Sequence, residues 1–397
     1  MKAHKRYVQG FFLLIGLAAC SVLALVLLVD SHGIYKFVSL ERVNKYKVTS
    51  NALGRFAVGA NLYLHDYDVL FIGTSRVQSG MDPRMQILQA ERVFNASLGD
   101  TDMGELVYLL DYILRHQDTV KRVYFGLDFH AFSAYREKHP EFESSFINPK
   151  NRFFASLAKE IFSKRGIGDS VRTVKANVRS VPQRYWYEGH YHSEAPIDYK
   201  ANIENILTYY MSRKVMFGCF HFDNDKLRAL EQVLARYVDK GIELNLFISP
   251  QHAINLMMLE YTGLFDQYYD WMRDMTAMAS RLSEQSSEPV RLWNFSGFNF
   301  VTTEALSYDT TDMLYFYETS HYRDDVGGMV MHVLDKERPI RNFGQDMYGE
   351  GSEAVINSIE RGRQVYKQFA VKDIQNLERL YRETAAYRES LDCHLND

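Results

Sequence analysis

The sequence predicts an α/β protein built on a parallel sheet of about five strands, with one membrane-spanning helix before it and a helical C-terminal tail after it. Three observations carry this reading. Phe11 to Val29 is an apolar run interrupted by nothing more polar than Ser21. From Val69 onward, short apolar strand runs alternate with stretches of helical periodicity. After Lys336 the chain becomes charged and helix-prone, with Ile356, Ile359, Val365, Phe369, Ile374 and Leu377 loosely spaced for helices.

At the α-helical rise, the first run spans about 28 Å, close to the thickness of a hydrocarbon core. Lys2, Lys5 and Arg6 precede it and favour an N-terminus left in the cytoplasm, with the bulk of the chain on the outer face of the cytoplasmic membrane. Two processing readings compete with this single-pass anchor. Leu17-Ala18-Ala19-Cys20 has the form of a lipoprotein cleavage site, but Val22–Val29 would then follow the lipidated cysteine as an apolar run where a polar tether is usual. A cleaved signal peptide fits less well, because the run is longer than a usual signal core. An uncleaved anchor over residues 1–30 is the expectation, with residues 31–68 as a membrane-proximal linker and helix.

Val69–Ile72, ending in Gly73, reads as the first strand, Val93–Asn95 as the second and Val123–Leu127 as the third. A helix capped by Asp100 or Thr101 places Leu106, Leu109, Leu110 and Ile113 on one face between the second and third. Asp225–Lys240 is a helix stopped by Gly241, Ile242–Ile248 the fourth strand, Glu260–Leu282 a helix and Val290–Trp293 the fifth strand. Strands separated by helices imply parallel pairing with right-handed crossovers. The α/β domain is placed at residues 69–335, with an insertion at 133–200 and a helical extension at 336–397. Within the insertion, Asn151–Tyr185 carries eight basic residues against Glu160 and Asp169, followed by the aromatic run Tyr185–Tyr187. A solvated helical insertion and a cap that meets anionic lipid or a glycan are both open.

The composition narrows the function. A net charge of −4 provides no basic field for nucleic acid. Outside the apolar run only Cys219 and Cys393 remain, which can pair or stay free, and no Cys/His cluster has metal-ligand spacing. His190 and His192 read as a solvated loop. Neither a metal nor a cofactor is expected.

Serine catalysis needs a hydroxyl on a sharp turn, a nearby base and donors aimed at the developing oxyanion. Gly73-Thr74-Ser75-Arg76 puts Ser75 at the carboxyl edge of the sheet, where α/β sites form. Asn95-Ala96-Ser97-Leu98-Gly99 follows the second strand, and Gly126-Leu127-Asp128 ends the third. Glu318-Thr319-Ser320-His321 places a carboxylate three residues before an imidazole, where it can hold the far ring nitrogen. Each residue also has an ordinary role open to it: Ser75 as a helix cap, His321 as a buried histidine bonded to a carbonyl, Arg76 as a partner of a surface carboxylate.

Taken in order, Ser75 after the first strand, a glycine turn after the second and an acid-x-x-His near the end resemble the SGNH (GDSL-like) hydrolase superfamily. With the anchor, the Gly-Thr-Ser-Arg run, Trp293–Gly297 and Tyr317–Tyr322, the chain resembles the branch that includes envelope proteins of alginate O-acetylation and of teichoic acid D-alanylation. The resemblance covers about Val69 to Leu334. It implies a three-layer α/β/α sandwich of the flavodoxin-like kind, Ser75 as nucleophile, His321 as general base and Glu318 in the place of the usual aspartate. Oxyanion donors would be the N–H groups of Ser75 and Gly99, with Asn95 as a further candidate, because the asparagine that many of these enzymes use is missing here. Arg76, Asp128 and Tyr322 are the expected substrate-facing residues, although an ionised Asp128 would repel an oxyanion, which favours a role in holding structure or a proton for it. The implied activity is acyl transfer, acetyl foremost, to a glycan hydroxyl of an envelope or exported polysaccharide, with a multi-pass membrane acyltransferase as partner. An esterase of the same chemistry and a non-catalytic scaffold are the alternatives.

Overall fold

The computed structural model describes residues 2–49, 54–179, 181–286, 289–308 and 313–394. In chain order the helices and strands begin with α1 (Lys2–Val29), α2 (Gly54–Leu64), β1 (Val69–Ile72), α3 (Ser75–Gly80), β2 (Val93–Asn95), α4 (Met103–His116) and β3 (Arg122–Leu127). Next come α5 (Phe153–Ile161), α6 (Lys164–Arg179), β4 (Arg184–Tyr187), β5 (His190–Ser193), α7 (Tyr199–Ser212), α8 (Asn224–Asp239) and β6 (Glu243–Ile248). The chain continues through α9 (Ala253–Thr262), α10 (Phe265–Glu284), β7 (Arg291–Asn294), α11 (Asp324–Lys336), β8 (Gln345–Asp346), α12 (Ser352–Phe369) and α13 (Val371–Glu383).

These elements form two compact units, one from residues 1–65 with 140–195 and one from 66–139 with 196–397. This corrects the expected boundaries. The linker and most of the insertion fold together as one unit, and the C-terminal extension is an integral part of the other. Such pairings join residues more than a hundred positions apart, which local periodicity does not register.

In the first unit, α1 is long and apolar enough over His4–Val29 to cross a membrane. Its far end is packed, with Val26 and Val29 buried. Asp30 adopts a left-handed conformation (φ 47°) and stops the helix. Its carboxylate accepts the N–H groups of Ile34 (2.7 Å) and Lys36 (2.9 Å). The side chain of Asn177 in α6 exchanges two bonds with the main chain of Tyr46, at 3.0 and 2.9 Å. Tyr63 stacks on Phe153 with centroids 3.8 Å apart. β4 and β5 form an antiparallel hairpin where a loop was expected. Glu188 and Gly189, both at positive φ, make its two-residue turn. Tyr185 packs on Tyr46 and His192, and Trp186 is buried, so the aromatic run is engaged within its own unit.

The second unit is the α/β part. Its sheet runs β2-β1-β3-β6-β7-β8, parallel throughout except for the two-residue β8, which lies antiparallel to β7. The five parallel strands lie where the apolar runs predict them, within a residue or two. All four residues of β1 are buried, as a strand covered on both faces requires. The helix expected at Glu260–Leu282 is instead two, α9 and α10, broken where Gly263 takes a left-handed φ of 70°. The cap of α4 is Asp102, whose carboxylate accepts the N–H groups of Gly104 and Glu105. After β1 the chain adds β2 on one side and β3 on the other, so the order reverses at the carboxyl ends of β1 and β3. A crevice opens at such a reversal.

The tail is tied down. α12 lies against α10, with Arg273 bonded to Glu353 at 2.6 Å. Leu377 and Leu380 of α13 are buried. Cys219 and Cys393 form a disulfide across 174 residues. A loop of that length stabilises by about 5 kcal/mol in the chain-entropy account, with about 2–5 kcal/mol usual on removal. Cys219→Ser should therefore lower unfolding free energy by several kcal/mol in urea titrations. A loss under about 1 kcal/mol would mean that the tail holds without the bond.

Candidate active site

Ser75 is the first residue of α3, directly off the end of β1. α3 sits close on the sheet because two glycines make room for Val77. A Cβ at Gly73 would lie 2.5 Å, and one at Gly126 2.3 Å, from Val77 Cγ2. Thr74 is the helix N-cap, its hydroxyl accepting the N–H of Arg76. The capping role open to Ser75 thus falls to its neighbour, and the Ser75 hydroxyl turns to His321.

Ser75 Oγ lies 2.8 Å from His321 Nε2. His321 Nδ1 is hydrogen-bonded to Glu318 Oε1. The same oxygen accepts the main-chain N–H of His321 at 3.0 Å, and Oε2 accepts that of Ser320 at 2.6 Å. A carboxylate at Nδ1 keeps the proton there and leaves Nε2 as the acceptor for the serine hydroxyl. Ser75 and His321 are half-buried, and Glu318 is buried.

The turn that carries the imidazole is braced on several sides. Tyr317 N–H donates to His321 C=O at 2.9 Å, closing the turn. His252, at the start of α9, donates its main-chain N–H to Thr319 C=O at 3.0 Å. The His252 ring accepts Ile254 N–H at Nδ1 and bonds Glu304 C=O through Nε2 at 2.8 Å. Burial, partly offset by the Glu304 carbonyl and Glu318, takes the His252 pKa down to about 4 from 6.5. Because the folded pKa is depressed, the unfolded chain binds the proton first as pH falls from 6.5 towards 4. Stability is complete above pH 6.5 and is lost through that window, by roughly 2 kcal/mol between pH 7 and pH 5. Urea unfolding at the two pH values, with His252→Gln as the less pH-sensitive comparison, measures it.

Beneath Ser75 lies a buried polar cluster. Arg76 Nη1 donates to Asp128 Oδ1 at 2.7 Å, and Thr74 Oγ1 to Asp128 Oδ2 at 2.6 Å. Arg76 also donates to Ser320 Oγ (3.2 Å) and Gln251 Oε1 (2.9 Å), and Tyr210 Oη lies 3.0 Å from Ser320 Oγ. Burial alone would lower the Arg76 pKa, but Asp128 and Tyr210 more than compensate and it lies above its usual value. His130 faces the same cation and is driven well below its usual pKa by burial and by Arg76. It is therefore neutral at pH 7.

The geometry brings Ser75, His321 and Glu318 together and adds Gly99. A Cβ on Gly99 would stand 3.9 Å from Ser75 Cβ and 3.0 Å from Gln78 Oε1. Four expectations are corrected. Asn95 donates both amide hydrogens to main-chain carbonyls, of Val77 and Met81 at 2.9 Å each, so it clamps α3 and has no donor for an oxyanion. Arg76 and Asp128 are 2% and 1% exposed and bonded to each other, so neither faces substrate. Tyr322 is fully buried, its ring so near Gly80 that a Cβ there would lie 1.9 Å from Cε2. Sequence reading missed Gln78, Tyr210, Gln251 and Ser320. The polar run Ser249-Pro250-Gln251-His252 at the end of a buried strand was the available signal for two elements of this support.

Comparison with known proteins finds no matching family model, no matching curated protein and no matching solved structure.

Proposed function

We propose that this protein is a single-pass envelope enzyme of the SGNH type, with the three-layer sandwich of that superfamily, that transfers acyl groups through Ser75. The observation that carries the reading is the continuous chain of hydrogen bonds from Ser75 Oγ through the His321 ring to Glu318. Ser75 Oγ attacks the acyl carbonyl while His321 Nε2 takes its proton, and that proton passes to the leaving group. An acceptor hydroxyl then gives its proton to His321 and attacks the acyl-enzyme; the acyl–Ser75 bond breaks as His321 returns that proton to Ser75 Oγ, regenerating the serine. The N–H groups of Ser75 and Gly99 are the donors proposed for the oxyanion. The acceptor in this reading is a glycan hydroxyl, with acetyl as the acyl group and a multi-pass membrane acyltransferase as its source. The apolar N-terminal helix supports an anchor in the cytoplasmic membrane, and the Cys219–Cys393 bond supports an oxidising, extracytoplasmic location for the rest.

The test uses the full-length protein in detergent. A fluorophosphonate probe should label Ser75, and labelling that persists unchanged in Ser75→Ala would sink the assignment. With a generic acetyl ester and an oligosaccharide acceptor, transfer predicts acylated sugar and slow release of free acid. Rapid release of acid that no acceptor alters would make the enzyme an esterase.

A further inference from the structure

We infer that the Phe37–Leu40 loop and the outward faces of α5 and α6 form a platform that rests in the headgroup layer of an anionic phospholipid bilayer. The inference rests on α1 crossing that bilayer, as proposed above.

The end of α1 sets the depth. Asn44 Nδ2 donates to Leu28 C=O at 2.7 Å and to Val38 C=O at 2.8 Å, pinning the Phe37–Leu40 loop beside the last turn of the span. Asn44 Oδ1 accepts Leu40 N–H at 2.7 Å. Phe37 and Leu40 are nonetheless 64% and 53% exposed. α5 and α6 both pack on α1. His32, three residues beyond the span, lies 3.3 Å from Asp169 of α6. The level at which the apolar run ends is therefore the level of the loop and of α6.

The side of α6 turned into the unit is small and polar, with Gly166, Ser170, Thr173 and Asn177 at helical spacing, all buried. Two of its valines point the other way: Val171 is 41% and Val178 61% exposed. Phe154 of α5 is 73% exposed, and Phe162 beside it 54%. Around these side chains Arg152, Lys159, Lys164, Arg172, Lys175 and Arg179 are all exposed. Apolar groups with cations around them, at the end of a membrane span, match the boundary between acyl chains and anionic headgroups. A soluble polyanionic glycan would use the cations but leaves the exposed phenylalanines and valines without a partner.

The experiment labels single cysteines with an environment-sensitive fluorophore in full-length Cys20→Ala protein, whose other two cysteines are bonded to each other. Leu14→Cys, Phe37→Cys, Phe154→Cys and Val178→Cys are compared in vesicles of phosphatidylcholine and phosphatidylglycerol. All four positions are more than half exposed, so the substitutions remove little buried surface, and circular dichroism checks that each variant is folded. Deep acyl-chain nitroxides should quench the Leu14 probe. Headgroup-level nitroxides should quench the other three, with iodide shielded from them. Omitting phosphatidylglycerol should cut quenching at Val178 by about half. A Leu14 probe untouched by lipid would remove the span and the inference with it. A quenched Leu14 with the other three open to iodide and indifferent to lipid would overturn the platform alone, as would their protection by a polyanionic glycan instead. Quenching at Val178 unaffected by phosphatidylglycerol would overturn the choice of an anionic surface.

Discussion

Ser75→Ala is expected to lower acyl-enzyme formation by about 10⁴- to 10⁶-fold, and His321→Ala by a similar factor. The two act on one step: without the imidazole the hydroxyl keeps its proton, and without the hydroxyl the imidazole has nothing to deprotonate. The double variant should be scarcely worse than either single one. Glu318→Gln should fall less far, because Glu318 orients the ring and does not bond to substrate. It still loses ground, since a glutamine amide offers one oxygen where the carboxylate accepts from His321 Nδ1, His321 N–H and Ser320 N–H. Burst-phase release from an activated acetyl ester measures all four proteins, with circular dichroism to show that each is folded. Full activity in Ser75→Ala would leave the chain as a scaffold that keeps the geometry without the chemistry.

Arg76→Met is expected to destabilise the protein by roughly 3–5 kcal/mol, because it strands the Asp128 carboxylate in a site with almost no access to water. Asp128→Asn should cost less, since an amide still accepts from Thr74 or Arg76, but it leaves the guanidinium uncompensated. Combining Arg76→Met with Asp128→Asn should cost clearly less than the sum of the two single changes, as for groups that share one interaction. Urea titrations of the four proteins give the coupling energy. Simple additivity within about 0.5 kcal/mol would show that the pair is not the unit it looks to be. Arg76 adjoins Ser75 in sequence and bonds Ser320 beside His321, so it ties the turn that carries Ser75 to the turn that carries His321.

By itself the sequence determined the parallel strands, the helices between them, the apolar N-terminal helix and three residues of the candidate site. The reason is that these are written in short-range patterns. A strand buried on both faces is an unbroken apolar run, as at Val69–Ile72, and Glu318 lies one turn from His321. Gly73-Thr74-Ser75 is legible because a strand exit needs a glycine where the next helix approaches closely. Only the tertiary structure decided the rest. Asn95, Arg76, Asp128 and Tyr322 belong to the motifs that sequence reading joins to the site, but each meets its partner in another segment: Asn95 at Met81, Arg76 at Asp128, Ser320 and Gln251, Asp128 also at Thr74, and Tyr322 at Gly80. A polar side chain next to a nucleophile looks the same in sequence whether it points at substrate or inward to satisfy a buried charge. Burial and hydrogen-bond partners separate the two cases, and both are properties of the fold. The same holds for the β4–β5 hairpin, the β8 edge and the Cys219–Cys393 bond. Each is a contact between segments whose local sequence is compatible with several partners, and only the packed chain selects one.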